Sequence, residues 1–195
     1  MTAAYELGSP FTDVALAAER VTLRMLRLED APAVFAIFSD PEVVRYWSRP
    51  ALTDPKQALE LIELIQSGYR EGSFLQLGVQ RNLDRALIGT CTLFHIDGSN
   101  LRAELGYALG RAYWGQGLMH EALVVLVDYA FFNLGLRRLE ADIDPRNAAS
   151  EKSLLRLGFV CEGLMRERWF VNGEASDTGF YGLLKSQWGA DPKIR

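Results

Sequence analysis

Apolar and polar residues alternate along several short stretches of the chain, and this alternation predicts β-strands. The first is "VTLRMLRL" (21–28), where Val21, Leu23 and Met25 alternate with polar residues, as in a half-buried strand. Four more strands, bounded by turn residues, are predicted at "FLQLGVQ" (74–80), "ALIGTCTLFHI" (86–96), "RAELGYALG" (102–110) and "RLEADID" (138–144). Near the end, "FVCEGLMRERWFV" and "TGFYGLL" flank Asn172-Gly173, which predicts a β-hairpin.

Other stretches carry apolar residues at helical spacing. "EDAPAVFAIFSD" has an acidic start and Pro32 in its first turn, and a second helix is predicted to begin after Asp54. A long, almost wholly apolar helix is predicted within "AYWGQGLMHEALVVLVDYAFF" (112–132), and a short one in "AASEKSLLRLG" ends at Gly158. Strands and helices together predict a mixed α/β domain with helices on both faces of one sheet.

The bulk properties favour one globular domain. The chain has 195 residues, of which 49% are hydrophobic and 24% charged. We expect an N-terminal extension over 1–19 and a single domain over 20–190. Residues 1–19 lack the basic start of a signal peptide, and no apolar run reaches the roughly 18 residues of a membrane span. We therefore expect a soluble, cytoplasmic protein without a membrane contact.

Charge and metal-ligating residues exclude further classes. The formal net charge of −4 argues against direct nucleic-acid binding. Two cysteines and two histidines give neither a disulfide framework nor the ligand spacing of a metal site. We accordingly expect no metal cofactor.

Two glycines, Gly115 and Gly117, flank Gln116 directly before this long apolar helix. The first turn of a helix has unpaired N–H groups and partial positive charge, so a start without side chains can hold a phosphate. A tight turn that needs glycine torsions explains the same residues. No Lys-Ser/Thr follows, and His120 stands where a dinucleotide fingerprint has its third glycine.

Three stretches in order, "AELGYAL", "YWGQGLMHEAL" and "NAASEKSLLRLGF", resemble the GNAT superfamily of acetyl-CoA-dependent N-acetyltransferases. Within it, the chain is similar to the RimJ/RimL-type branch, named for ribosomal-protein N-terminal acetyltransferases. The opening "ERVTLRMLRLEDAPAVFAIFSDPEV" and the tail "NGEASDTGFYGLLKSQW" extend the resemblance from about Glu19 to Trp188. It implies the GNAT fold, a twisted, mostly antiparallel sheet with one splayed parallel pair and helices on both faces.

The resemblance also implies how acetyl-CoA is bound. The family's pyrophosphate-binding signature falls on Trp114, Gly115, Gln116, Gly117, Leu118 and Met119. Trp114 replaces the usual Gln/Arg, and Met119 replaces a small residue. By similarity, pantetheine lies along the strand backbone of Tyr107, Ala108 and Leu109 and is fixed by the side chain of Asn147. A turn residue after Pro145 is the alternative for Asn147.

Two residues are candidates for the chemistry. By similarity, the Ser150 hydroxyl lies near the thioester sulfur and protonates the leaving thiolate; as an alternative, Ser150 only satisfies a backbone N–H at a helix start. Glu104 is the candidate general base, acting directly or through water, or else an outward residue paired with Arg102 or a neighbouring strand's arginine. A backbone N–H of Tyr107 or Leu109 is the candidate donor to the carbonyl oxygen.

The acceptor stays open at this point. An amine is expected, either a protein N-terminal α-amine or a small-molecule amine, and the family places it near "VVRYWSRP" (43–50). The protein is expected to be a monomer or a homodimer. The alternative to an enzyme is a non-catalytic acyl-CoA-binding or regulatory module of the same fold.

Overall fold

The computed structural model describes residues 10–171 and 173–189. Within these residues the chain forms one sheet of eight strands in the order β1-β2-β3-β4-β5-β6-β8-β7. The strands are β1 (Ala15–Ala17), β2 (Val21–Met25), β3 (Leu75–Arg81), β4 (Leu87–Asp97), β5 (Arg102–Leu109), β6 (Arg138–Ile143), β7 (Val160–Val171) and β8 (Glu174–Leu184). All the strands predicted from the alternation are therefore present, with ends shifted by up to three residues.

Four α-helices cover this sheet in the described residues. They are α1 (Ala31–Phe38), α2 (Pro55–Glu71), α3 (Leu118–Asp128) and α4 (Ala148–Arg156). The start of α2 is a capping box: the Asp54 carboxylate accepts from Lys56 N at 2.9 Å, and Gln57 Oε1 accepts from Asp54 N at 3.0 Å. Gly72 ends α2 with φ of 65°.

The helices lie on both faces of the sheet. Cys91 of β4 points to α3, where its Sγ lies 3.5 Å from the Met119 Sδ. The next side chain, Thr92, points to the opposite face and lines a cleft together with Leu61 and Ile65 of α2. Successive side chains of a strand point to opposite faces, so α2 and α3 enclose the sheet between them.

One strand pair sets the shape of the site. All other neighbours in the sheet are antiparallel, but β5 and β6 are parallel and pair only from Arg102–Glu104 with Arg138–Glu140. Beyond Glu104 the two strands separate, because β5 continues along β4 while β6 continues along β8. This confirms a mostly antiparallel sheet with one splayed parallel pair.

The segment before β2 is partly built into the sheet. Residues 1–9 of the expected extension lie outside the described residues, but Phe11 is 3% exposed and donates its N–H to Tyr69 O at 2.8 Å. Residues Ala15–Ala17 pair with β2 as an edge strand. The domain bounds over 20–190 stay a prediction. None of the helices in the described residues is long and apolar enough to cross a membrane.

Candidate active site

A cleft of about 780 Å³ opens where β5 and β6 separate. Tyr107, Asn147 and Ser150 line it on the α4 side of the sheet. On the other side it is lined by the α1–α2 connection and by side chains of β6 to β8, among them Trp47 and Asp142. The cleft therefore reaches both faces of the sheet through the gap between the strands.

The glycine-led helix start lies at the beginning of α3. Gly115 and Gly117 have φ of 72° and 76°, and Gly117 is the N-cap residue, with no side chain capping the helix. A Cβ on Gly115 would meet no atom within 4 Å. The torsions thus require glycine, which agrees with the interpretation as a tight turn. The same turn leaves the N–H groups of the first helical residues without a side-chain cap, which a phosphate site also requires.

Side chains of the neighbouring segments keep this helix start in place. Leu118 and Met119 are both buried, and Met119 points to Cys91 in the core instead of toward the glycines. Arg20 was not identified from the sequence; its Nη1 donates to Gln116 O at 3.0 Å and its Nε contacts Glu121 Oε2 at 2.8 Å. Nearly a hundred residues separate these partners, so no local motif indicates the contact.

The strand predicted to bind pantetheine has one free edge. Tyr107, Ala108 and Leu109 pair with β4 only. Leu109 O accepts from Trp114 Nε1 at 2.7 Å, so the polar backbone groups of Leu109 point away from β4. Every second residue of a strand has the same backbone orientation. The backbone N–H and C=O groups of Tyr107 therefore also face the gap, and those of Ala108 face β4. The backbone N–H of Tyr107 is thus oriented as an oxyanion donor requires.

Asn147 and Ser150 meet at the start of α4. Asn147 is the N-cap residue, and its Oδ1 accepts from Ser150 N at 3.1 Å. This use of Oδ1 leaves the Nδ2 donor available to a ligand in the cleft. Ser150 Oγ lies 2.7 Å from Tyr107 Oη. Burial raises the pKa of Tyr107 to about 12, although its hydrogen bond to Ser150 acts in the opposite direction. Both hydroxyls therefore keep their protons near neutral pH.

Glu104 lies at the last paired position before the gap. Its side chain is 13% exposed, and its Oε1 lies 2.9 Å from His95 Nδ1. Arg102 pairs instead with Glu140 at 2.7 Å. Glu104 is outside the lining of the cleft, but it shares a sheet face with Phe94 and Gly106, which do line it. Contact between Glu104 and an acceptor amine thus requires a bridging water.

The face opposite α4 is lined by aromatic and charged side chains. Trp47 and Arg49 follow α1, and the Arg49 guanidinium lies 5.1 Å from the centre of the Trp47 ring. Facing them are Asp142 and Thr178, which the sequence did not single out. They lie on neighbouring strands, β6 and β8, and only the sheet order brings them together.

A separated parallel strand pair beside an uncapped, glycine-led helix start defines an acyl-CoA-dependent acyltransferase by fold and site. Residues 20–160 match the acetyltransferase (GNAT) domain family. The chain belongs to this family of N-acetyltransferases, in its RimJ/RimL-like branch. GNAT enzymes use acetyl-CoA.

The relatives agree with this assignment. The chain is 40% identical to the N-acetyltransferase p20 of Bacillus licheniformis over 170 residues, 87% of this chain and 96% of the relative. It is 29% identical to the ribosomal protein uS5-alanine N-acetyltransferase of Escherichia coli over 126 residues, 64% and 65% of the two chains. RimJ of Mycobacterium smegmatis, solved in complex with CoA-disulfide, has the same fold with a TM-score of 0.83 at 22% identity, covering 95% and 94%.

Proposed function

We propose that this protein transfers the acetyl group of acetyl-CoA to an acceptor amine by direct attack in a ternary complex. The acceptor is a protein N-terminal α-amine or a small-molecule amine. One observation carries the proposal: the cleft reaches both faces of the sheet through the gap between β5 and β6. Two substrates that enter from opposite faces meet end to end in this gap, whereas a module that only binds acyl-CoA needs one half of it.

Acetyl-CoA is placed on the α4 side of the sheet, where Tyr107, Asn147 and Ser150 line the cleft and the helix start lies outside its lining. The helix start at Trp114, Gly115, Gln116, Gly117, Leu118 and Met119 offers uncapped backbone N–H groups to the pyrophosphate. Tyr107, Ala108 and Leu109 offer the free strand edge to pantetheine, where Leu109 O is shared with the Trp114 indole. The Asn147 side chain adds an N–H donor beside that edge. In this arrangement the thioester lies near Ser150, at the point where the strands separate.

Direct attack agrees with the state of the two cysteines. Cys91 is fully buried, and burial raises the pKa of its thiol. Cys161 is exposed on β7 and lies outside the lining of the cleft. Neither thiol is placed to take up the acetyl group, so the acceptor nitrogen is the attacking atom.

Two groups on the chain stabilise the charge that this attack creates. The carbonyl oxygen gains negative charge as the nitrogen approaches, and the Tyr107 N–H faces the gap where that oxygen lies. When the C–S bond breaks, the sulfur leaves as a thiolate. Ser150 Oγ donates a hydrogen bond or a proton to it, and the Tyr107 phenol at 2.7 Å orients the serine hydroxyl.

The acceptor must lose a proton, and Glu104 is the proposed base. An α-amine has a reference pKa of about 7.7–8.0, so an appreciable fraction is already neutral at neutral pH. Glu104 receives the proton through a water, since its carboxylate lies just beyond the cleft lining. His95 contacts this carboxylate and is 70% exposed, which gives the proton a path to solvent. The uS5-alanine relative supports an α-amine among the acceptors.

The experiment measures release of free thiol from acetyl-CoA with a panel of amines: peptides with N-terminal alanine or serine, spermidine and aromatic amines. Wild type is compared with Glu104→Gln and Ser150→Ala. Asp84→Asn is the control, because Asp84 is an exposed carboxylate in the remote β3–β4 turn. We expect both site variants to lower kcat by roughly tenfold or more while coenzyme A binding is retained.

Three results would contradict parts of this proposal. Coenzyme A binding without turnover of any amine would favour the non-catalytic module. Turnover that neither substitution slows would remove Glu104 and Ser150 from the mechanism and leave the transfer itself intact. Failure to bind acetyl-CoA at all would contradict the function as a whole.

A further inference from the structure

The hairpin side of the cleft holds a buried hydroxyl that the mechanism above does not use. Thr178 of β8 is 1% exposed and lines the cleft. In the described part of the chain, its Oγ1 has no hydrogen-bond partner. A buried polar atom without a partner destabilises a fold, so its presence in a cleft points to a ligand that completes it.

A carboxylate lies on the next strand. Asp142 of β6 is 16% exposed and accepts a hydrogen bond on Oδ2 from Trp169 Nε1 at 3.2 Å. The Arg168 Nε lies 3.9 Å from the same oxygen, which is beyond hydrogen-bond distance. No donor in residues 10–171 and 173–189 contacts Oδ1. Asp142 therefore has one acceptor oxygen without a donor among the described residues, and its ion pair with Arg168 is long.

The other two carboxylates of the cleft lining share one arginine. Asp144 Oδ2 pairs with Arg146 Nη2 at 2.6 Å, and the same guanidinium pairs with Glu174 through Nη1. Arg146 lowers the pKa of Asp144 by this hydrogen bond. Among the described residues of the lining, Asp142 is thus the carboxylate without an arginine within hydrogen-bond distance.

Asp142 and Thr178 can reach one small group. Asp142 pairs in register with Phe180, so Thr178 is its diagonal neighbour on the same face, roughly 7–8 Å away between Cα atoms. An ammonium that donates to two oxygens holds them roughly 5 Å apart. If the two side chains lean toward each other, their oxygens come closer together than their Cα atoms and reach the separation that one ammonium requires.

The position of this pair identifies which ammonium it receives. Glu140 is the last residue of β6 that pairs with β5. Asp142 is the next residue of β6 on the same face. It faces Gly106 across the opening gap, where the proposed mechanism places the thioester. A nitrogen held here is next to the atom that it attacks.

We propose that Asp142 and Thr178 form the subsite that binds the reacting ammonium group of the acceptor. The inference rests on the proposed N-acetyltransfer and names the residues that bind the second substrate. Asp142 supplies charge, and Thr178 supplies a hydroxyl oxygen. Because peptide α-amines and aliphatic amines such as spermidine are mostly protonated near neutral pH, the subsite serves peptide and aliphatic small-molecule acceptors alike.

The test compares wild type with Asp142→Asn and Thr178→Val. Glu167→Gln is the matched control, since Glu167 is an exposed carboxylate of the same hairpin outside the cleft lining. The measured quantities are KM for an N-terminal-alanine peptide, KM for spermidine, KM for acetyl-CoA and the unfolding temperature. We expect Asp142→Asn to raise both acceptor KM values roughly tenfold or more, and Thr178→Val to raise them severalfold.

Two further readouts separate binding from folding. KM for acetyl-CoA is expected to stay unchanged in both variants. Thr178→Val is expected to melt no lower than wild type, because the lost hydroxyl had no protein partner. If Thr178 had only a structural role, Thr178→Val would not raise the acceptor KM while the unfolding temperature stays the same.

Several outcomes would overturn the inference. Unchanged acceptor KM in both variants would do so while leaving the proposed transfer in place. A KM effect confined to spermidine would assign Asp142 to a second, non-reacting ammonium. A clearly lower unfolding temperature of Thr178→Val would assign Thr178 to the fold. Absence of turnover by wild type with every amine would remove the proposed function and this subsite together.

Discussion

The glycine torsions at the start of α3 give the sharpest prediction. Gly117 has φ of 76°, and in Gly117→Ala the new Cβ would lie 3.4 Å from the flexible end of Arg20. The substitution is therefore limited by backbone conformation rather than by space. A non-glycine residue in the left-handed region costs roughly 1–2 kcal/mol. For a chain of this size that corresponds to roughly 2–8 °C in unfolding temperature.

A matched control separates this cost from binding. Gly135 has φ of 74°, and a Cβ there meets no atom within 4 Å. It lies between α3 and β6, away from the helix start. Gly135→Ala, Gly115→Ala and Gly117→Ala should therefore lose similar stability, because all three place alanine at nearly the same φ without a clash with the backbone.

Only the two substitutions at the helix start should weaken coenzyme A binding. Relaxation of the strained torsion turns the first N–H groups of α3 away from the pyrophosphate. Loss of one charge-assisted hydrogen bond is worth roughly 1.5–3 kcal/mol, or roughly a tenfold to hundredfold rise in Kd.

Urea unfolding gives the free energies, and titration calorimetry with coenzyme A gives the Kd values. Equal Kd values for Gly117→Ala and Gly135→Ala would refute the assignment of this helix start to the phosphates. A Gly135→Ala variant as stable as wild type would refute the torsional reasoning itself.

Two further predictions concern Tyr107, which is part-buried, and the buried Tyr69. Tyr107→Phe should lower kcat roughly twofold to tenfold with little change in coenzyme A affinity, because Ser150 loses the hydroxyl that orients it. Steady-state kinetics measures kcat, and calorimetry measures the affinity. An unchanged kcat would contradict this role of Tyr107. Burial raises the pKa of Tyr69 and of Tyr107 to about 12, against about 10 in the unfolded chain. Both phenols are protonated in either state below pH 10, so their contribution to stability is complete there and is lost as pH rises from 10 toward 12. Urea unfolding at pH 9 and pH 11 should show a lower free energy at pH 11, and equal values would contradict it.

The local parts of the structure could be predicted because local residues determine them. The start of α2 depends on Asp54 and Gln57, three positions apart, and its end on Gly72. Alternation predicted β2 and β5 because their buried and less buried positions alternate, whereas β3 has an alternating sequence although both of its faces are buried. The turn before α3 required glycine at two positions, and the sequence shows both of them.

The pairs that determine the chemistry depend on the sheet order, which no short pattern encodes. Asp142 and Thr178 come from strands 36 positions apart that become neighbours only because β8 lies between β6 and β7. Arg20 reaches Gln116 because α3 packs against β2. These contacts are consequences of the whole fold, so the residues look like ordinary strand and loop positions in the sequence.

Glu104 shows how one irregularity decides a functional side chain. Its cross-strand partner is Phe94, so His95, as the next residue of a regular β4, would point to the opposite face. The pairing of β4 and β5 is interrupted after Phe94, and His95 has φ of 48°. This bulge turns the imidazole back to the face of Glu104, where Nδ1 contacts the carboxylate. The contact between the proposed base and the exposed imidazole thus depends on a backbone feature that neither residue type indicates. From the sequence, the expected partner of Glu104 was an arginine.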